Sequence, residues 1–129
     1  MKKFFTLIVF LIITLVCVNK AYSIEADVFV QSTVNRAAKT LGGTLTKEER
    51  VEKLKDIARD TVDIDGIGFY SLGAHRKNLT EEQIAKYKKV FSQYFLKSFS
   101  SRLAEYSNPE IEVNSKKKVN KNYTIVSST

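Results

Sequence analysis

The chain has 129 residues, and 21 Lys and Arg against 14 Asp and Glu give it a formal charge of +7. One Cys and one His exclude a disulfide framework within the chain and any site built from several histidines. An apolar fraction of 43% with 27% charged residues is that of a folded domain rather than a disordered chain.

In chain order, Lys2 and Lys3 precede an apolar run from Phe4 to Val18 broken by Thr6 and Thr14 alone. Ala21-Tyr22-Ser23 then sets small residues at the −3 and −1 positions of a cut before Ile24. This order reads as a secretory signal, residues 1–23, cleaved after Ser23. The core of 15 residues falls short of the roughly 20 that a permanent membrane span requires. An uncleaved N-terminal anchor is the alternative. A lipidated Cys17 is a third reading, opposed by the large Leu15 and Val16 before it. Cleavage leaves one small domain, 24–129, which has lost its cysteine and three lysines and keeps every acid, so its net charge is +4. An exported domain without an aromatic-basic motif gives no reason to expect nucleic acid as a partner. A weak attraction to anionic lipid headgroups suits that charge better.

The spacing predicts four helices and then a hairpin. From about Glu25 to Leu41, Phe29, Val30, Val34, Ala37, Ala38 and Leu41 recur at helical intervals, and Gly42-Gly43 end the run. Thr46 with Glu49 forms a capping box ahead of Val51, Leu54, Ile57 and Ala58. Asp65 is the expected N-cap of a short third helix, Gly66 to Leu72, closed by Gly73. A second capping box, Thr80 with Gln83, opens a long helix to about Tyr106, where Asn108-Pro109 forbid continuation. Its expected inner face is Ile84, Tyr87, Phe91, Tyr94, Phe95, Phe99, Leu103 and Tyr106; Glu82, Lys86, Lys89, Gln93, Lys97 and Ser100 stand opposite. After Pro109 the period falls to two. Glu110–Val113 and Tyr123–Val126 read as the strands of a hairpin turning at Lys116-Lys117-Lys118.

No catalytic constellation can be assembled, so the chain reads as a non-enzyme with no catalytic residue, no metal ligand set and no cofactor. His75 belongs to a connecting loop, Asp63 and Asp65 to capping and solvation, and the glycines follow no phosphate-loop spacing. Asn78-Leu79-Thr80 and Asn122-Tyr123-Thr124 match the glycosylation acceptor pattern by composition alone. What stands out is the aromatic stripe of the third and fourth helices. It suits a packed core, and it suits equally a greasy chamber for an apolar ligand. Periodicity does not separate the two.

The stretch from Asp65 to Val113 resembles the MlaC family, also called the toluene-tolerance auxiliary family. The resemblance is carried by Leu72-Gly73-x-His75-x-Lys77, Thr80-x-x-Gln83, Tyr87, Phe91, Phe99, Leu103-Ala104-x-Tyr106 and the strand pair after Pro109, with Val34-Asn35-Arg36 and Leu41 fitting the opening helix. It implies a periplasmic phospholipid-binding protein of an ABC lipid-transport system, one that maintains outer-membrane lipid asymmetry. The partners it implies are phospholipid, an outer-membrane lipoprotein complex, and an inner-membrane ABC transporter complex with a mammalian-cell-entry-domain ring. The implied fold is an α+β cone related to the nuclear transport factors, with Phe69, Leu72, Phe91, Phe95, Phe99 and Leu103 facing the acyl tails. The family pattern continues with two further strands and a helix where this sequence stops at Thr129. The expectation is therefore an incomplete cone: about four helices and a β-hairpin, forming a single lipid-carrier-like domain that is C-terminally incomplete. The rival reading is an envelope interaction or structural protein without a ligand, or an inactive fragment of the carrier.

Overall fold

The computed structural model describes residues 24–129, so the segment read as a signal, with Cys17, lies outside the described residues. The element order is α1 (Ala26–Gly42), α2 (Lys47–Thr61), α3 (Ile64–Ser71), a 3-10 helix (Gly73–Asn78), α4 (Glu81–Leu103), β1 (Val113–Lys118) and β2 (Thr124–Ser128). Helices followed by an antiparallel hairpin make the α+β arrangement that the periodicity predicts.

Local chemistry sets the helix starts. At α2 the Thr46 hydroxyl accepts the Glu49 N–H at 3.2 Å while the Glu49 carboxylate accepts the Thr46 N–H at 2.8 Å. At α4 Thr80 and Gln83 repeat the exchange at 3.2 and 2.9 Å. Both boxes therefore form as the sequence predicts, and each satisfies two donors that a helix start otherwise leaves bare. The third helix departs from expectation. Its cap is Asp63, not Asp65, because the Asp63 carboxylate accepts the Gly66 N–H at 2.9 Å and the helix begins at Ile64. Asp65 instead sits in the first turn, 3.5 Å from the Lys88 ammonium. Gly73, at φ +54°, takes the left-handed conformation that closes α3 at little steric cost. Gly43 after α1 does not; it is extended, so that helix stops without a left-handed turn.

The core has two centres strung along α4. Toward its C-terminal end, Leu103 and Ala104 pack with Leu41 of α1 and with Val51, Leu54 and Ile57 of α2. Nearer its middle, Phe91, Phe95 and Leu96 pack with Ala58, Val62 and Ile64 of α2 and α3. Different helices cover successive parts of α4, so its buried stripe winds around the axis. That rotation overturns part of the expected inner face. Tyr94 is 69% exposed and Tyr106, beyond the helix end, is exposed as well. Ser100, expected opposite, is 0% exposed, and its hydroxyl has no hydrogen-bond partner among the described residues. Leu96, absent from the predicted face, is buried. Phe29 of α1 is also more open than its spacing suggests.

The hairpin is shifted from its expected register. Lys116, Lys117 and Lys118 do not form the turn; they are the last residues of β1, paired with Val126, Ile125 and Thr124. The connection is made at 119–123, where the Asn120 side chain accepts the N–H groups of Asn122 and Tyr123 at 2.8 and 3.0 Å, a local mimic of a backbone turn. The first strand begins at Val113 rather than Glu110, although Glu112 exchanges two backbone hydrogen bonds with Thr129 at 2.8 and 3.0 Å. One face of the hairpin lies on α1. There Lys116 reaches Glu25 at 2.6 Å and Asp27 at 2.9 Å.

Two outcomes test this packing. Leu54 is the largest fully buried apolar side chain, so Leu54→Ala should lower unfolding free energy by roughly 2–5 kcal/mol in urea titrations. Ser100→Ala should instead raise it by about 1 kcal/mol, because it removes a buried hydroxyl without a partner. The Lys116 anchor sets a pH window. Its ammonium is held above the usual lysine value by hydrogen bonds to Glu25 and Asp27. The Asp27 carboxyl is held below its usual value, chiefly by the hydrogen bond from Lys116. The Asp27 contribution is complete above the ordinary carboxylate range and is lost as pH falls through the lowered value. The Lys116 contribution is complete below the ordinary lysine value and is lost as pH rises through the raised one. The difference in melting temperature between the parent and Lys116→Met should therefore be widest at neutral pH and shrink toward both extremes.

Candidate functional site

Four aromatic residues stand at intervals of four along α4, and their rings stack in series. Centroid separations are 5.7 Å for Tyr87–Phe91, 6.1 Å for Phe91–Phe95 and 5.4 Å for Phe95–Phe99, with interplanar angles of 28°, 25° and 10°. Residues four apart neighbour one another on a helix surface, which is why the spacing produces a ladder. Each step of four overshoots one turn by roughly 40°, so the ladder climbs obliquely. Its middle rungs, Phe91 and Phe95, are half-buried against Ala58, Val62 and Ile64, while Phe99 at one end is 38% exposed.

The contact of α3 with α4 fixes the other end. A side chain at Gly68 would place its first carbon 2.7 Å from the Phe91 ring, so the absence of one lets α3 lie flat against that rung. The Ser71 and Tyr87 hydroxyls are 2.7 Å apart and join the C-terminal end of α3 to the first rung. The next residue outward, Phe69, is exposed and lies under two cations. The Arg76 guanidinium is 5.2 Å and the Lys88 ammonium 6.0 Å from its ring centroid, both within reach of the ring's negative face.

Of the six residues expected to face acyl tails, the structure brings Phe91, Phe95 and Phe99 into one ladder. Phe69 lies on α3 beneath its cations, and Leu72 is the half-buried residue that ends that helix. Leu103 belongs to the other packing centre, with Leu41 and Leu54. Tyr87 is a full rung that the expected site omits, and the interval of four from Phe91 was the signal that could have included it.

Among the described residues Phe91 and Phe95 are half-buried and Phe99 is exposed, so the ladder is not a fully packed core. Half-buried on one side, they are open along the other. Among the described residues, fourteen large apolar side chains are exposed, against seven buried apolar ones. A cleft of about 480 Å³ runs between α2 and α4, lined by Val51, Arg59, Gln93, Leu96 and Lys97 among others. None of the ladder rings lines it.

The ladder carries no acid or base beyond the Tyr87 phenol, so what it offers is apolar, polarisable area. His75 is exposed on the 3-10 helix. Among the described residues no group of three or more His, Cys, Asp or Glu is placed to hold a metal ion, and no helix is long and apolar enough to cross a membrane.

In comparison with known families, the family model described as MlaC protein matches residues 30–129. No curated protein and no solved structure matches the chain.

The close approach at Gly68 makes a direct test. Gly68→Ala should lower unfolding free energy by roughly 1–3 kcal/mol, as overpacking in a seated contact does. It should also change the near-ultraviolet circular dichroism of the ring ladder. An unchanged spectrum with unchanged stability would mean that α3 does not rest on Phe91.

Proposed function

We propose that this chain, which belongs to the MlaC family of periplasmic phospholipid-binding transport proteins, is a non-enzymatic shuttle that holds phospholipid by its acyl tails against the α4 ring ladder. In this reading it is exported by cleavage after Ser23 and carries lipid between an outer-membrane lipoprotein complex and an inner-membrane ABC transporter bearing a mammalian-cell-entry-domain ring. Phe91, Phe95 and Phe99 supply the surface that meets the tails. Phe69 and Leu72 border it from α3, and Leu103 holds the far end of α4 in place.

The observation that supports this most directly is the open edge of the ladder. Stacked rings left half-exposed in a water-soluble domain are an unused apolar surface, and such surfaces take apolar partners. Two acyl chains of about 30 methylenes would cost on the order of 24 kcal/mol to leave in water, at about 0.8 kcal/mol each. A carrier does not have to exceed the bilayer in holding them. Transfer between two apolar phases is close to neutral, so direction comes from the donor and acceptor complexes. A site of this kind needs shape and apolar area, and no bond-breaking group.

The test is lipid recovered with the protein. The exported protein, purified from cells expressing the full chain and extracted with organic solvent, should yield near-stoichiometric phospholipid by mass spectrometry. Phe95→Glu puts a carboxylate in the middle of the ladder and should reduce that yield more than about tenfold, a difference of about 1.4 kcal/mol, with helix content unchanged by circular dichroism. Phospholipid added back to stripped protein should raise its melting temperature, since at a hundredfold excess over Kd a ligand adds about 2.7 kcal/mol to the native state. A parent protein that is lipid-free and insensitive to added lipid overturns the carrier reading and leaves an envelope protein without a ligand.

A further inference from the structure

The sheet has two strands and therefore two outer edges, and they are not alike. β1 carries Lys116, Lys117 and Lys118 in succession, and the extra residue of the register shift between Val113 and Lys116 lies on it. Lysines and bulges are features that keep one sheet edge from pairing with another. The edge of β2 has neither. Its residues are Thr124, Ile125, Val126, Ser127 and Ser128, without charge, proline or glycine.

The backbone bonds fix which groups of β2 point outward. Glu112 and Thr129 exchange two hydrogen bonds, and the Val119 N–H donates to the Tyr123 carbonyl at 2.9 Å. Along an antiparallel strand, positions bonded to the partner alternate with positions whose backbone groups point away. Tyr123, Ile125, Ser127 and Thr129 therefore turn their backbone groups toward β1. Thr124, Val126 and Ser128 turn theirs away, and no described strand pairs with them. A two-stranded hairpin is marginal by itself, and what this edge lacks is another strand.

We propose that the outer edge of β2 pairs with the same edge of a second copy of this chain, antiparallel about Val126, in a two-fold dimer with the sheet order β1–β2–β2–β1. The edge is self-complementary. Centred on Val126, the pairing sets Val126 against its own copy, Thr124 against the partner's Ser128 and Ile125 against the partner's Ser127. Every outward N–H and C=O of the three residues then finds a backbone partner. A β-branched pair and two Thr–Ser hydroxyl pairs meet across the contact, with no like charges opposed. Val126 shares a face with Lys116, which reaches Glu25 and Asp27 of α1, so that face is the α1 side. α1 lies across both strands of its own hairpin. With strands about 4.8 Å apart, the two-fold sets the two α1 helices side by side at about 10 Å, an ordinary interaxial distance. The assembly closes at four strands, because β1 pairing with a further copy would oppose three lysines to three. This contact concerns the hairpin alone and rests on neither the ring ladder nor the carrier reading.

Sedimentation velocity of the exported protein over a range of concentrations should show a monomer–dimer equilibrium. Thr124→Pro combined with Ser128→Pro removes two outward N–H groups from each copy and no bond to β1. It should weaken dimerisation more than roughly a hundredfold, with the circular dichroism of the monomer and its co-purified lipid unchanged. Cross-linking gives a readout that does not depend on that variant. Cys17 is the only cysteine of the chain, so Val126→Cys in a Cys17→Ala background carries a single thiol. It would stand on the two-fold axis with Cα atoms about 5.5 Å apart, within disulfide reach, and should oxidise to a linked dimer. Lys117→Cys in the same background, on β1, should not. A parent that is monomeric at every concentration overturns the proposal, and so does a folded proline variant that dimerises as the parent does. Linkage through Lys117→Cys as efficient as through Val126→Cys also overturns it, by showing a dimer built on another surface.

Discussion

The packing of α2 and α3 against α4 is the interaction on which the rest of the structure depends. A helix of 23 residues is about 35 Å long at 1.5 Å per residue, and no single neighbour here runs its whole length. The 15-residue α2 and the 8-residue α3 meet at the turn around Val62 and share the task. Because they approach from different directions, the side of α4 that must be apolar changes along its length. Leu96, Ser100 and Ala104 are buried in the C-terminal half, while Phe91 and Phe95 are held on another flank nearer the N-terminus. The ring ladder follows from this division: its rungs pass from a covered flank to an uncovered one as they climb. Its open edge is a geometric result of which helices cover α4 and where they stop.

Much of this was legible in the sequence wherever one residue type has one local use. Thr46, Glu49, Thr80 and Gln83 cap in the structure as their spacing predicts, whereas the long helix, expected to reach about Tyr106, ends at Leu103, ahead of Asn108-Pro109. The failures share a cause. The polar hydroxyl of Ser100 points to the wet side, yet the residue is small, and close packing along α4 favours a small residue over a hydrophilic one. A fixed period assumes a straight stripe and so puts Tyr94 in the core. Three lysines in a row suggest a turn because strands rarely carry them; exposure of β1 and the Asn120 side chain allow a strand instead. Asp63 and Asp65 both look like caps, and sequence spacing gave no way to choose between them.

For the site, the interval of four among Tyr87, Phe91, Phe95 and Phe99 made a ring ladder readable in outline. Which side of it would remain open was not, because that depends on the reach of α3 and on a single missing side chain at Gly68. The same holds for the hairpin. Its lysines are visible in the sequence, but only the pairing of Lys116 with Val126 and its bonds to Glu25 and Asp27 show which side of the strand turns toward α1.

The brevity of α3 has a consequence for how the domain comes apart. Isolated helices shorter than about 12 residues are marginal in water, so an 8-residue helix persists because it is seated, through Gly68 on Phe91 and through the Ser71–Tyr87 hydroxyl pair. Its folding and its docking are then a single event. Such a segment can open as a unit below the global unfolding free energy, and its departure would uncover the remaining side of Phe91 while α2 still holds the C-terminal half of α4. Access to the rings from that side is thereby governed by the local melting of two turns of helix rather than by the stability of the whole domain.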